Sequence, residues 1–183
     1  MTSIRERALD AAVELVGTQG IRALTHARID AQAGLPRGST SNHFRTRAAL
    51  LAGVTTWIST QETQDLGAAL SRQFDDLDGF IDVFGDAVQL LTGPHAVRTR
   101  ARYALFLEAA SDPELYAPLH DQREGMAAFT RSVLERLGAQ HPDAATGAFM
   151  AFADGIILHR LSVDPDAPVR PSVAVAVRGC LAA

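Results

Sequence analysis

The sequence predicts an all-α protein of about nine helices, and three observations support this fold class. Alanine, the strongest helix former, occupies 32 of the 183 positions. Apolar residues recur at helical spacing along most of the chain, and Gly and Pro lie mainly between these apolar segments. Residues 173–177 alternate as a strand would, but the sequence offers no second strand to pair with them.

The first helix is predicted to begin near Ser3, because Ser3 and Glu6 have the spacing of a capping box. Gly20 is placed to end this helix in a left-handed conformation. The Thr25 hydroxyl can accept a hydrogen bond from an open N–H group, so Thr25 is expected to cap a second, short helix at about residues 26–33.

A third short helix is predicted at about residues 36–43. Gly34 permits a tight turn before it, and the restricted backbone of Pro36 suits a first helical turn. Two short helices around a turn of about three or four residues that contains Gly are typical of the helix-turn-helix. The N-terminal segment therefore predicts a three-helix domain of this type.

Six longer helices are predicted after this domain. Thr46 is expected to cap the first of them, and Gly, Pro and Asp residues mark the breaks between the others. The last segment is interpreted as a helix because Val173, Val177 and Leu181 are also four residues apart. The predicted ranges are about 47 to the low 70s, 78–92, 95–110, 113–137, 143–162 and 172–181.

Charge is distributed unevenly along the chain, whose formal net charge is −4. Residues 1–50 contain seven arginines and four acidic residues, a net charge of +3. Residues 51–183 contain ten arginines and 17 acidic residues, a net charge of −7. A basic segment joined to an acidic one indicates that the basic segment binds DNA, because the phosphates of DNA are negatively charged.

The composition predicts a cytoplasmic protein without a membrane segment. No stretch of about 18 apolar residues is present, and the N-terminal residues lack the apolar core of a signal peptide. The only cysteine, Cys180, cannot form an internal disulfide, which fits a reducing compartment.

Two segments near the N-terminus carry a recurring pattern: residues 7–15 read RALDAAVEL, and residues 34–51 read GLPRGSTSNHFRTRAALL. Together they resemble the signature of the TetR family of bacterial transcriptional regulators. The resemblance implies a ligand-responsive regulator, most simply a repressor, that binds a palindromic operator as a dimer. It further implies a helix-turn-helix DNA-binding domain at residues 1–46 and a helical regulatory and dimerisation domain at residues 47–183.

The second helix of a helix-turn-helix enters the major groove with its N-terminal residues near the base edges. Arginine can form two hydrogen bonds to guanine, asparagine can form two to adenine, and hydroxyl groups can bond a base or a phosphate. The predicted base readers are therefore Arg37, Ser39, Ser41 and Asn42. The predicted phosphate contacts are Thr25, Arg28, His43 (from the resemblance) and Arg47, while Gly38 would let the backbone approach the DNA closely.

Three positions depart from the family pattern. Ser41 stands where an aromatic residue is frequent, Thr40 where an aliphatic core residue is usual, and Asp30 where a small residue is common. We expect DNA binding despite these changes, but the operator sequence cannot be inferred from relatives.

The resemblance also implies an effector site and a dimer interface in the second domain. In this family helices four to seven enclose a small-molecule site, and the last two helices pair with those of a second subunit. Helix eight alternates small and large apolar residues, which suits close packing across a two-fold axis. Candidate ligand-binding residues, chosen as apolar or aromatic groups with polar neighbours, are Trp57, Gln61, Phe84, Tyr103, Phe106, Glu108, His120, Met126, Phe129 and Phe152.

Three details of this region allow more than one interpretation. Glu108 either bonds within the core or meets a ligand, and the two are equally favoured. His120 and Glu124 share a helical face, but two possible ligands without a third do not predict a metal site. A run of arginines is expected to be a solvated helix start rather than a second nucleic-acid site, namely Arg98, Arg100 and Arg102.

No catalytic constellation, phosphate-binding glycine loop or cofactor motif is apparent, so we expect neither an enzyme nor a cofactor. The expected partners are double-stranded operator DNA, an unidentified small-molecule effector, and a second copy of the chain. The alternative hypothesis is a helical small-molecule-binding protein or enzyme with a vestigial DNA-binding head.

Overall fold

The structure, a computed structural model, describes residues 2–70, 74–110 and 113–182. Within these ranges all regular elements are helical, which confirms the predicted all-α class. The elements are α1 (Ile4–Gln19), a 3₁₀ turn (Ile21–Ala23), α2 (His26–Gln32), α3 (Ser39–His43), α4 (Arg47–Leu70), α5 (Leu77–Thr92), α6 (Ala96–Ala109), α7 (Pro113–Arg136), α8 (Pro142–Ser162) and α9 (Val169–Ala182).

Two helices begin elsewhere than the sequence predicts. Helix α3 begins at Ser39 and not at Pro36, because Gly38 precedes it with a φ of 90°, which a helix cannot contain. Helix α9 begins at Val169 and includes the segment that alternates like a strand. Val173 and Val177 are fully buried whereas Val175 is 76% exposed, so the spacing of four residues decides the structure there.

Polar side chains cap the N-terminal ends of α1, α4 and α5. Ser3 and Glu6 form the predicted capping box, with Glu6 N donating to Ser3 Oγ at 3.1 Å and Ser3 N donating to Glu6 Oε2 at 2.7 Å. Ala49 N donates to Thr46 Oγ1 at 3.0 Å at the start of α4, as predicted. Asp76 accepts from the backbone N–H of Gly79 in the same way before α5.

The chain divides into two compact units. The first unit contains residues 1–63 and 95–121, and the second contains residues 64–94 and 122–183. The functional division at residues 46 and 47 is not tested by this packing and stays a prediction.

The first unit is built on α1, which packs along α6. Gly17 allows this approach, because a Cβ atom there would overlap the carbonyl oxygen of Val97 and lie 2.7 Å from its Cγ1. Burial of apolar area supplies most of the stability of such a core. Its largest fully buried side chains include Leu9, Leu24, Ile29, Leu50, Ile58 and Leu105.

The second unit packs α5, α8 and α9 together. Arg170 of α9 lies across Gly85 of α5 and bonds the carboxylates of Asp82 and Asp86 on either side of it. The Arg170 pKa is raised above its ordinary value, chiefly by the hydrogen bond to Asp82. This cluster joins the last helix to the first helix of the unit.

Candidate nucleic-acid interface

Hydrogen bonds fix both ends of the segment formed by α2 and α3. Arg7 of α1 donates to the carbonyl oxygens of Ala33 at 2.7 Å and Gly34 at 3.4 Å, where α2 leaves acceptors open. His26, the first residue of α2, has its Nε2 atom 2.6 Å from the carbonyl oxygen of Phe44, which ends α3. The helix-turn-helix is therefore tied to α1 and closed on itself.

The side chain of Asp30 caps α3 from the neighbouring helix. Its Oδ2 atom accepts from Gly38 N at 2.7 Å, and its Oδ1 atom accepts from Thr40 N at 2.8 Å and Thr40 Oγ1 at 2.6 Å. Asp30 is 2% exposed and Thr40 is fully buried. Burial alone would raise the Asp30 pKa, but the hydrogen bonds from Thr40 and Gly38 outweigh it and lower that pKa.

Two of the three departures from the family pattern are thus partners of each other. Asp30 and Thr40 lie ten residues apart and contact each other directly. The sequence contained a signal, since both are polar residues at positions that the pattern makes small or apolar. Each alone looked like an isolated change, and periodicity gives no information on which polar residues meet.

The outer side of α3 carries most of the predicted base readers. Arg37 lies exposed in the turn before α3, and Ser41 and Asn42 are exposed on the helix, whereas Ser39 is half-buried. Ser39 Oγ donates to the carbonyl oxygen of Pro36 at 2.7 Å, and Ser41 Oγ donates to that of Gly38 at 2.9 Å. Both serines therefore return their hydroxyl hydrogens to the backbone.

Gly38 is required by its conformation. Its φ of 90° lies in the left-handed region that disfavours residues with a Cβ atom. The nearest atom to a Cβ added at Gly38 would be Ser41 Oγ at 3.8 Å, so space in the protein itself is not limiting. Close approach of the Gly38 backbone to DNA stays a prediction.

The residues predicted to contact phosphates differ in the hydrogen bonds that they already make within the protein. His43 is exposed, and Thr25 is exposed while it caps α2 by accepting from Arg28 N at 3.4 Å. The Arg28 guanidinium donates to the Gln19 side chain at the end of α1. A phosphate contact by Arg28 would need this bond to be exchanged.

Arg47, at the start of α4, is also engaged. Its Nη1 atom donates to the carbonyl oxygen of Leu24 at 3.0 Å, and its Nη2 atom lies 4.0 Å from Glu108 Oε1. The sequence predicts either a core bond or a ligand contact for Glu108. The structure places its carboxylate, on a half-buried residue, opposite Arg47, while ligand binding by Glu108 stays a prediction.

Six candidate ligand-binding residues belong to the first unit. Trp57 Nε1 donates to Asp10 Oδ1 at 2.8 Å, which commits the polar edge of the ring to α1. The half-buried rings of Tyr103 and Phe106 have centroids 6.3 Å apart on α6. The remaining candidates in this unit are Glu108, described above, and the half-buried Gln61 and His120.

The prediction of a solvated arginine run is wrong for Arg102. Its Nη1 atom bonds Glu62 Oε2 at 2.9 Å, with the Arg102 side chain 12% exposed and the Glu62 side chain 1% exposed. Its guanidinium also lies 4.9 Å from the centroid of the Tyr103 ring. The arginine turns inward because Glu62 on α4 supplies a buried charge, a partner 40 residues away that sequence spacing did not reveal.

The other four ligand candidates belong to the second unit. Phe84 and Phe152 flank the buried Phe149, with ring centroids 4.8 Å and 6.0 Å from it. Phe149, which is not among the predicted ligand residues, lies between these two rings. Met126 is half-buried and Phe129 is 37% exposed.

No helix in the described part of the chain is long and apolar enough to cross a membrane. Glu62 and Arg102 form an internal salt bridge in the first unit. The arginines of α2 and of the segments that flank α2 and α3 are exposed on its surface, namely Arg22, Arg28, Arg37 and Arg45. The arrangement on α2 and α3 can therefore present guanidinium, amide and imidazole groups to a polyanion.

Two family models match the sequence. Residues 8–54 match the family described as "Bacterial regulatory proteins, tetR family", and residues 75–183 match "Tetracyclin repressor-like, C-terminal domain". The second match alone covers more than half of the chain. No curated protein matches the sequence.

Several solved structures share the fold over nearly the whole chain. A transcriptional regulator from Rhodococcus sp. Rha1 superposes with a TM-score of 0.82 at 16% identity, covering 98% of this chain and 97% of the other. A TetR family member from Streptomyces coelicolor A3 gives 0.73 at 26% identity, covering 96% and 97%. The multidrug binding protein EbrR complexed with ethidium gives 0.73 at 28% identity, covering 96% and 98%.

Proposed function

Because the chain belongs to the TetR family of bacterial regulatory proteins, we propose that it is a repressor that binds a palindromic DNA operator as a homodimer and releases it when an effector binds. The exposed group of Arg37, Asn42 and His43 on and before α3 is the observation that supports operator binding. These side chains offer the donors and acceptors that read base edges and phosphates in the major groove.

The charge distribution supports the same proposal. Residues 1–50 carry a net charge of +3, whereas the remainder of the chain carries −7. The positive charge of the N-terminal segment favours its binding to the phosphates of DNA. Family members are in general regulators and not enzymes, and we propose that this chain likewise has no catalytic role. We propose that it acts in the bacterial cytoplasm, where operator DNA is accessible.

Operator binding is tested by selection from duplex DNA with a randomised central region. We expect the purified protein to enrich one palindromic sequence with half-sites about 34–36 Å apart, the separation of successive major grooves on one face. Footprinting on the enriched DNA should protect both half-sites. Enrichment of no sequence, or of a single half-site, would contradict binding as a dimeric helix-turn-helix.

A dimer interface on α8 and α9 is the second part of the proposal. One exposed face of α8 carries Ala148, Ala151, Gly155 and Leu158, spaced three and four residues apart. Small residues on such a face allow the close approach of a second helix. On α9, Val175 is 76% exposed and would add apolar area to the same proposed interface.

Sedimentation velocity tests this interface. We expect the wild type to sediment as a dimer and Leu158→Glu as a monomer with unchanged helix content, because a charge would enter an apolar contact. Leu107→Glu is the matched control, since Leu107 is 79% exposed on α6 and outside the proposed interface. Equal behaviour of the two variants would remove α8 from the interface.

The effector proposal is supported by EbrR, whose solved structures include complexes with ethidium and proflavin. We propose that this chain also binds an aromatic small molecule, with the half-buried rings of Phe84 and Phe152 among its contacts. Ethidium is the probe. Its binding is followed by the fluorescence of Trp57, the only tryptophan in the sequence. Because ethidium also intercalates into duplex DNA, its binding is measured with the protein alone. Saturable binding that is weakened in Phe84→Ala supports the proposal, and the absence of saturable binding counts against this class of effector.

A further inference from the structure

Helix α3 depends on a neighbouring side chain for its N-terminal end. It contains five residues, Ser39–His43, and its N-cap residue is Gly38, which has no side chain to accept from the open N–H groups. A helix of one turn and a half is not stable by itself. The hydrogen bonds from Gly38 N and Thr40 N to Asp30 take the place of a cap within the helix.

The same carboxylate sets the position of α3 relative to α2. Asp30 belongs to the last part of α2, and both of its oxygens are used by α3. Thr40 Oγ1 adds a side-chain donor at 2.6 Å. The Asp30 carboxylate therefore accepts three hydrogen bonds, two from backbone N–H groups and one from a hydroxyl group. Ser39 lies between the two anchored residues Gly38 and Thr40, and Ser41 and Asn42 follow directly, so these bonds fix the part of α3 that carries the predicted base readers.

We propose that Asp30 and Thr40 are positioning residues that determine operator specificity without contacting DNA. The inference rests on the proposed function, since it concerns the base readers of the same helix. Recognition groups have to be held to within about 0.5 Å of their working geometry. The Asp30–Thr40 contact is the polar link between α2 and the N-terminal end of α3, next to the predicted base readers. The burial of both side chains keeps water from replacing the link.

Substitutions at Thr40 separate positioning from packing. Thr40→Val keeps the shape of the side chain but removes the donor to Asp30, whereas Thr40→Ser keeps the donor and removes a methyl group. Thr40→Ala is made in parallel, in case the added methyl group prevents folding. Thr55→Val is the matched control, because Thr55 is 1% exposed in the same unit and its Oγ1 atom has no hydrogen-bond partner within the described ranges.

The measurement uses the DNA that the wild-type protein selects from the randomised duplex. Affinity for this DNA and for a scrambled duplex is measured for each variant at a temperature at which circular dichroism shows it folded. We expect Thr40→Val to lower the ratio of specific to non-specific affinity by about tenfold, the effect of one lost hydrogen bond to a charged group. Thr40→Ser and Thr55→Val should keep the ratio of the wild type.

The salt dependence distinguishes positioning from a loss of phosphate contacts. We expect the slope of log affinity against log salt to stay unchanged in Thr40→Val, because the number of neutralised phosphates does not change. A folded Thr40→Val or Thr40→Ala variant with wild-type discrimination would overturn the inference. So would an equal loss in Thr55→Val, which would show a general effect of destabilisation.

The failure of the proposed function has a different result from the failure of this inference. If the wild-type protein enriches no sequence, operator recognition itself fails, and the inference is overturned with it. If the wild type enriches a sequence that the Thr40 variants discriminate equally well, operator recognition stands and only the positioning role is overturned.

Discussion

Arg102 Nη1 lies 2.9 Å from Glu62 Oε2 in the first unit, where water reaches 12% of the arginine side chain and 1% of the glutamate side chain. The pair joins α6 to α4 by opposite charges that are both removed from solvent. A buried charge costs several kcal/mol if it loses its partner, so the two residues depend on each other.

Removal of one member of this pair is expected to destabilise the protein more than removal of both. Arg102→Met should lower the free energy of unfolding by about 3–5 kcal/mol, because the Glu62 carboxylate would stay buried without its guanidinium partner. The double variant with Glu62→Leu and Arg102→Met should lose clearly less. Urea unfolding followed by circular dichroism measures both values.

Arg22→Met serves as the control for this prediction. Arg22 is exposed in the same unit, so its replacement should change stability by no more than about 0.5 kcal/mol. Additive losses in the double variant would show that Glu62 and Arg102 do not stabilise each other.

Asp30 predicts a specific pH dependence of stability. Its pKa is lowered in the folded protein, so the ionised form stabilises the fold above the pKa of the unfolded chain, which is about 3.9. This stabilisation is lost as the pH falls through the folded pKa. The difference in unfolding free energy between the wild type and Asp30→Asn should therefore be constant from about pH 7 to pH 5 and shrink below about pH 4. A difference that grows on acidification would contradict the lowered pKa.

Gly17 and Gly67 are expected to respond in opposite directions to alanine. At Gly17 the added Cβ would overlap the backbone of Val97, so Gly17→Ala should destabilise the protein by about 1–3 kcal/mol through separation of α1 and α6. At Gly67, on α4, no atom lies within 4 Å of an added Cβ, and Gly67→Ala should stabilise by about 0.5–1 kcal/mol. Thermal unfolding compares the two, and equal shifts would show that α1 and α6 do not approach as described.

Arg37→Ala is expected to weaken operator binding by about 1–3 kcal/mol and to relax the preference at one base pair. The arginine is exposed in the turn before α3, where its guanidinium can bond a guanine edge. Repeating the selection with the variant identifies the base pair. Arg100→Ala, an exposed arginine on α6, should leave both affinity and preference unchanged. Unchanged selection by Arg37→Ala would remove Arg37 from the base readers.

The sequence predicts the helices well because their signals are local. The apolar spacing of Val173 and Val177 indicates a helix that the structure contains, and Thr46 caps α4 as its hydroxyl predicts. The start of α3 was wrong because it depends on the φ of Gly38, and sequence does not distinguish a glycine used for a turn from one inside a helix.

The polar contacts that organise the first unit cannot be predicted from local sequence patterns. Glu62 and Arg102 are separated by 40 residues, and Asp30 and Thr40 by ten, so no helical period connects either pair. Periodicity indicates which face of a helix is buried, and a charged residue on that face still needs a partner that only the tertiary packing supplies. The DNA and effector contacts require a bound partner and stay predictions.

The two serines of α3 have a consequence for the kind of sequence that the protein can distinguish. Ser39 and Ser41 each direct the hydroxyl hydrogen to a backbone carbonyl, so in this conformation their oxygens can only accept. Phosphate oxygens carry no hydrogen to give, whereas cytosine N4 and adenine N6 do in the major groove. In an operator complex that keeps this conformation, the two serines would therefore favour base pairs that offer an amino group in the major groove over contacts with phosphates.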